Sequence, residues 1–191
     1  MQIGGSAAAR VLAAAALSFF VVACSAGPGS LPVLPQAEEG PYRLGAGDRV
    51  RLVIFGQEEL TGEYLVSDSG YITVPLIGAV HAEDMTVREM EEQISTELRK
   101  GILVDPNTTA EIVTYRPFYI LGETKSPGQY AYVPRMTVLT AVSISGGFTF
   151  RADRDVVSIT RTVDGDLAEF SADPLTYVQP GDVITVYERL F

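Results

Sequence analysis

The stretch at residues 70–101, GYITVPLIGAVHAEDMTVREMEEQISTELRKG, changes its hydrophobic period midway. Residues 71–74 are extended and β-branched, Pro75 ends them, and residues 76–80 read as a further extended piece. Beyond Thr86 the period becomes helical: Val87, Met90, Ile94 and Leu98 fall on one face, and Thr86 with Glu89 forms a capping box. Gly101 stands where a left-handed C-terminal cap belongs. Glu91, Glu92 and Glu97 take the opposite face, which predicts a solvated surface. Strand patterning that runs directly into helix patterning indicates an α+β fold.

The same grammar extends outward. Upstream, residues 49–55 (RVRLVIF) alternate and predict a strand, and Ser67-Asp68-Ser69-Gly70 is a turn. Downstream, Asp105-Pro106-Asn107 is a turn and residues 109–115 return as a strand. A second, smaller set follows: strand 118–121, turn Ser126-Pro127-Gly128, strand 129–133, and a short apolar helix 138–144 capped by Thr137 and ended at Gly146-Gly147. Strand 156–161 is turned by Asp164-Gly165 into strand 167–170, and Pro180-Gly181-Asp182 leads into a last strand, 183–187. This predicts two small α+β domains, residues 41–115 and 116–191.

Composition narrows the function. The 191 residues carry 14 Lys+Arg against 24 Asp+Glu, a net charge of -10, which argues against displacing counterions from nucleic acid. One Cys excludes an intramolecular disulfide, and one Cys with one His excludes the usual zinc sites. Residues 11–22 form an apolar run behind Arg10, too short to span a bilayer but suited to a signal peptide. The run ends in Val21-Val22-Ala23-Cys24, which resembles the lipobox of bacterial lipoproteins. That resemblance implies cleavage between Ala23 and Cys24, acylation of the Cys24 thiol, and residues 1–23 as the signal peptide. Ser25 follows where lipoproteins retained in the inner membrane carry Asp, so the implied address is the outer membrane. Residues 24–40, rich in Gly, Pro, Ser and Ala, read as a flexible tether that lets the folded part stand off the membrane.

The residues now match a known pattern. Tyr42-Arg43-Leu44-Gly45-Ala46-Gly47-Asp48 before the RVRLVIF strand resembles the opening of the outer-membrane polysaccharide export family. Ser69-Gly70-Tyr71-Ile72 with Pro75-Leu76-Ile77-Gly78 is similar to that family's core motif. Tyr119-Ile120-Leu121-Gly122-Glu123, Pro127-Gly128-Gln129-Tyr130 and Ser145-Gly146-Gly147-Phe148 resemble a soluble-ligand-binding β-grasp domain. The resemblance implies a non-enzymatic component of capsular or extracellular polysaccharide export, without cofactor or metal, assembled as a homo-oligomeric ring around the polymer. It also implies an inner-membrane copolymerase as partner, coupled in some systems to a tyrosine kinase. Long members end in an amphipathic helix that lines the outer-membrane hole. Phe191 follows the last predicted strand closely, so the expectation is a short member that hands polymer to a separate outer-membrane β-barrel or a longer paralogue. As the last strand, residues 183–187 are expected to lie unpaired at a sheet edge and to form the seam between subunits. A glycan-binding or scaffold lipoprotein that forms no channel is the alternative.

Other candidates have plainer readings. Gly70, Gly78, Gly128, Gly146 and Gly147 serve turns, and Pro127 presets one. His81 has no partner Cys and no G-x-S-x-G serine beside it. Glu58-Glu59 and Glu83-Asp84 form a hydrolytic pair only if the fold brings carboxyls within about 5–10 Å. Tyr64, Tyr71, Tyr115, Phe118, Tyr130 and Tyr132 could stack on sugars, but aromatics alternating in strands more often pack within the fold.

Overall fold

A computed structural model describes residues 31–34, 40–163 and 165–189. The expected signal peptide, with its expected cleavage between Ala23 and Cys24 and acylation at Cys24, lies outside the described residues. Arg49–Ile54 (β1) buries alternate side chains and pairs antiparallel with Gly62–Leu65 (β2) on one side and Thr108–Thr114 (β5) on the other. Tyr71–Val74 (β3) and Gly78–His81 (β4) form a hairpin whose turn carries Leu76 at φ 69°. Residues 76–80 were expected to be extended throughout, but Leu76 and Ile77 make this turn and the strand begins at Gly78.

Helix α1, Val87–Arg99, closes this half and buries Met90, Ile94 and Leu98. Its capping box forms as expected: Thr86 Oγ1 accepts from Glu89 N, and Glu89 Oε2 accepts from Thr86 N. Glu91 departs from the solvated-face reading, because its carboxylate accepts from Ala110 N at 2.6 Å and so covers the outer edge of β5. Strand β2 was not anticipated, since four residues with a shallow alternation carry little periodic signal.

The second half is a five-stranded sheet in the order β7-β6-β10-β8-β9, from Phe118–Gly122 (β6), Gly128–Tyr130 (β7), Ala152–Val163 (β8), Asp166–Ala172 (β9) and Val183–Glu188 (β10). Helix α2, Val138–Ile144, packs on one face through Val138, Ala141 and Val142. The last strand is not an edge. β10 runs parallel to β6 and antiparallel to β8, at the centre of the sheet, and the edges belong to β7 and β9. Its alternation of buried Ile184 and Val186 with half-buried neighbours is what a two-sided partner requires. The expected subunit seam at residues 183–187 is thereby overturned.

Each half has its own core, one built around Leu52, Ile72 and Ile94, the other around Phe118, Ile120 and Ile184. Leu34, from the stretch read as a tether, joins the second core at 8% exposure. Among the described residues no helix is long and apolar enough to cross a membrane.

Candidate functional site

Two turns meet where the halves join. In the first, Gly45-Ala46-Gly47-Asp48 closes through Asp48 N donating to Gly45 O at 3.0 Å, with Gly47 at φ 92°. The fully buried Asp48 carboxylate reaches back to accept from Gly45 N at 2.8 Å. The second turn, Gln179-Pro180-Gly181-Asp182, repeats this: Asp182 N donates to Gln179 O at 3.2 Å, Gly181 is at φ 90°, and Asp182 Oδ2 accepts from Gln179 N at 2.7 Å. Positive φ at the third position is the type II requirement, which glycine meets without a Cβ clash.

Arg116 lies between the turns. Its backbone N donates to Asp48 Oδ1 at 2.7 Å and its Nη1 lies 3.6 Å from Asp48 Oδ2. Its Nε donates to Pro180 O at 3.1 Å. The space it fills exists because both turns present glycine. A Cβ on Gly45 would stand 1.6 Å from Nη1, and one on Gly181 would stand 3.1 Å from Nε. Tyr42 completes the junction by donating its hydroxyl to Asp48 Oδ2 at 2.6 Å. Burial, and then the bond to Asp48, pushes the Tyr42 hydroxyl well above the usual tyrosine range. Tyr42, Tyr115 and Tyr132 stack edge-on in series, with centroids 5.0 and 5.4 Å apart. Burial also raises Tyr115 and Tyr132.

A second polar feature is an open cavity of about 480 Å³ between α1 and β5, lined by Arg88, Glu92, Ser95, Arg99 and Thr108 among others. Arg88 pairs with Glu92 at 3.1 Å, and the Thr108 hydroxyl is buried without a protein partner. A third is the sheet face opposite α2, where Tyr119 and Leu121 are about half exposed and Tyr187 donates to Glu169 at 2.8 Å.

The expected site residues scatter. Glu58-Glu59 sit in a single 3-10 turn after the end of β1, whereas Asp84 N bonds Leu44 O before its start. Six residues of strand, about 20 Å, separate those positions, so the fold does not assemble a hydrolytic pair from them. His81 packs edge-on against Tyr71 at 5.2 Å. Phe118 is core and Tyr130 packs against it at 6.0 Å. Tyr64 donates to Leu60 O at 2.8 Å. Among the described residues no group of three His, Cys, Asp or Glu side chains is placed to hold a metal ion. Arg116 and Asp48 went unremarked as a pair in the sequence. The legible signal was that a Gly-Asp turn precedes both β1 and β10.

Residues 36–113 match the family described as polysaccharide biosynthesis/export protein. The exopolysaccharide production protein ExoF of Rhizobium meliloti (strain 1021) is 33% identical over 162 residues, covering 78% of this chain and 37% of that protein. The EPS I polysaccharide export outer membrane protein EpsA of Ralstonia nicotianae is 29% identical over 193 residues, covering 83% of this chain and 50% of that protein. A protein of the same name from Ralstonia solanacearum is 28% identical over 153 residues, covering 65% and 40%. The chain thus spans between about a third and a half of the length of these relatives.

Proposed function

With residues 36–113 belonging to the polysaccharide biosynthesis/export family, we propose that this protein is a non-enzymatic component of a machine exporting capsular or extracellular polysaccharide. It stands on the periplasmic face of the outer membrane, anchored by acyl chains on Cys24, and several copies form a conduit for the polymer. The observation that carries this reading is the likeness to ExoF, which extends over 78% of the chain, far past the family domain. Its partners are an inner-membrane copolymerase, with or without a tyrosine kinase, and a separate outer-membrane pore. A conduit built from many copies needs its two halves held at one angle. The Arg116 bridge between the two turns supplies such a constraint, since each of its contacts to Asp48 and Pro180 fixes one side. The net charge of -10 suits a passage that repels an acidic polymer from its walls.

The test is deletion of the coding sequence followed by complementation. Loss of polymer from the medium, restored by the intact chain and not by Cys24→Ser, supports an anchored export component. Unchanged polymer release from the deletion strain overturns it. The open face carrying Tyr119, Leu121 and Tyr187 favours a second reading, a glycan-binding or scaffold lipoprotein without a channel. Native mass separates the two: a discrete large oligomer supports the conduit, and a monomer that binds polymer supports the second reading.

A further inference from the structure

Positions 88, 92, 95 and 99 recur at helical spacing, so Arg88, Glu92, Ser95 and Arg99 form one polar stripe along a flank of α1. With Thr108 they line the open cavity of about 480 Å³ beside β5, and no aliphatic or aromatic side chain shares that lining. β5 is the outer strand of the order β2-β1-β5. Phe55 N donates to Asn107 O and Glu91 accepts from Ala110 N, so Thr108 and Ala110 turn their peptide groups away from β1. The Thr108 N–H therefore opens on the free edge of the sheet, on the side of α1.

The acceptors around this cleft are already engaged. Glu91 holds Ala110 N at 2.6 Å, Glu92 holds Arg88 at 3.1 Å, and Glu97 holds Lys100 at 2.8 Å. What remains is donors. Arg99 forms no ion pair among the described residues, and Thr108 Oγ1 is buried with no hydrogen-bond partner. A cleft whose spare groups are a guanidinium, a hydroxyl and a peptide N–H suits an oxyanion.

We propose that the cleft between α1 and the free edge of β5 binds the carboxylate of an acidic sugar unit, with Arg99 as its cation. The proposal rests on the export reading above and names a chemical feature of the cargo. The planar carboxylate matches the guanidinium fork of Arg99, and the hydroxyl and N–H of Thr108 supply the neutral donors. One staggered turn about χ1 exchanges the Thr108 hydroxyl with its methyl, so the orphan oxygen has a route to a ligand in the cleft. The two acids beside the cleft, Glu91 and Glu92, set its limit: they oppose a doubly charged phosphate more than a singly charged carboxylate. An open polar cleft without an aromatic platform holds one sugar unit weakly. Repeated in several copies, such contacts add along a chain without fixing any one point of it, while the excess of acidic residues keeps the rest of the polymer off the walls.

Calorimetric titration of the full chain, as isolated from membranes, with trigalacturonate and with neutral maltotriose tests this. Trigalacturonate should bind at least fivefold more tightly, and should slow amide exchange in the segment holding Thr108. Arg99→Gln, at an exposed position of the last helical turn, should abolish that preference. Thr108→Val should weaken trigalacturonate at least twofold without lowering the thermal unfolding temperature, because it removes an oxygen that has no partner in the fold. Equal binding of the two trisaccharides, or an unchanged preference in Arg99→Gln, overturns the cleft. Inorganic phosphate that displaces trigalacturonate at equal concentration reduces the cleft to one for an adventitious ion only, and overturns it too. Polymer release from the deletion strain separates the two readings. Release lost on deletion and restored by a chain with no trisaccharide preference overturns the cleft alone. A preference for trigalacturonate with release unchanged by deletion overturns the export reading and keeps the cleft as a uronate site.

Discussion

The turn before β1 and the turn before β10 share a hydrogen-bond pattern, a glycine at φ near 90° and a buried aspartate that reaches back three residues. They differ in the arginine each holds. Asp182 takes a two-pronged pair from Arg161, Nε to Oδ1 at 2.8 Å and Nη2 to Oδ2 at 2.6 Å, and that arginine side chain is only 10% exposed. Asp48 is met by the backbone of Arg116 at 2.7 Å and by its side chain only at 3.6 Å, and that side chain is 32% exposed. One turn is wired inside its own half. The other is wired across to its counterpart. The same local device thus serves stability in one place and the joining of two halves in the other, and accessible water sets the difference in strength.

That comparison breaks first at the buried pair. Asp182→Ala strands the Arg161 charge with only Tyr177 O at 3.2 Å, and is expected to cost about 3–5 kcal/mol in urea unfolding. Asp48→Ala leaves three donors, Gly45 N, Arg116 N and the Tyr42 hydroxyl, without their acceptor, but Arg116 can turn to water. The expected loss is about 2–3 kcal/mol, and a loss larger than that of Asp182→Ala would refute the asymmetry.

Gly181→Ala sharpens it further. A side chain at φ 90° costs about 1–2 kcal/mol and crowds Arg116 Nε, so thermal unfolding should show the loss together with weakened coupling of the halves to protease. High pH should act most directly on the first turn, where the Tyr42 hydroxyl bonds Asp48. The Tyr42 pKa is raised in the fold, so its contribution is intact below the ordinary value of 10.0 and declines as pH rises above it. Tyr42→Phe should flatten that alkaline decline, and an unchanged pH profile would contradict the role of burial.

The smallest effect lies away from both turns. Thr86→Ala should cost about 1 kcal/mol. The backbone bond from Thr86 lowers the Glu89 pKa below its ordinary value of 4.5. The capping box is therefore at full strength above that value and weakens as pH falls through the depressed one. A pH titration of wild type against Thr86→Ala should converge in acid.

Legibility in the sequence followed the strength of the local signal. Helix α1 was readable because Thr86, Glu89 and the spacing of Met90, Ile94 and Leu98 are all short-range. Strand β8 was found but only at its middle, since Asp153, Arg154 and Asp155 interrupt the apolar pattern where the strand faces solvent. The central position of β10 was hidden, because the parallel partner β6 lies more than sixty residues earlier and leaves no mark on the sequence around it. The parallel bridge of Val33 to Ser171 was hidden for the same reason: Pro32-Val33-Leu34 within a Pro- and Gly-rich stretch has tether composition, and only the edge of β9 gives it a partner.

By itself, then, the sequence settled the α+β class, the helix caps, the turns that need glycine, and the motifs that place residues 36–113 in their family. Those depend on backbone sterics and on contacts a few residues apart, which composition and spacing encode directly. Tertiary structure alone decided that Arg116 bridges two like turns, that the last strand is central, and that residues 32–34 dock on β9. Each of these joins backbone groups far apart in the chain. A peptide hydrogen bond carries no side-chain identity, so nothing in the sequence names its partner.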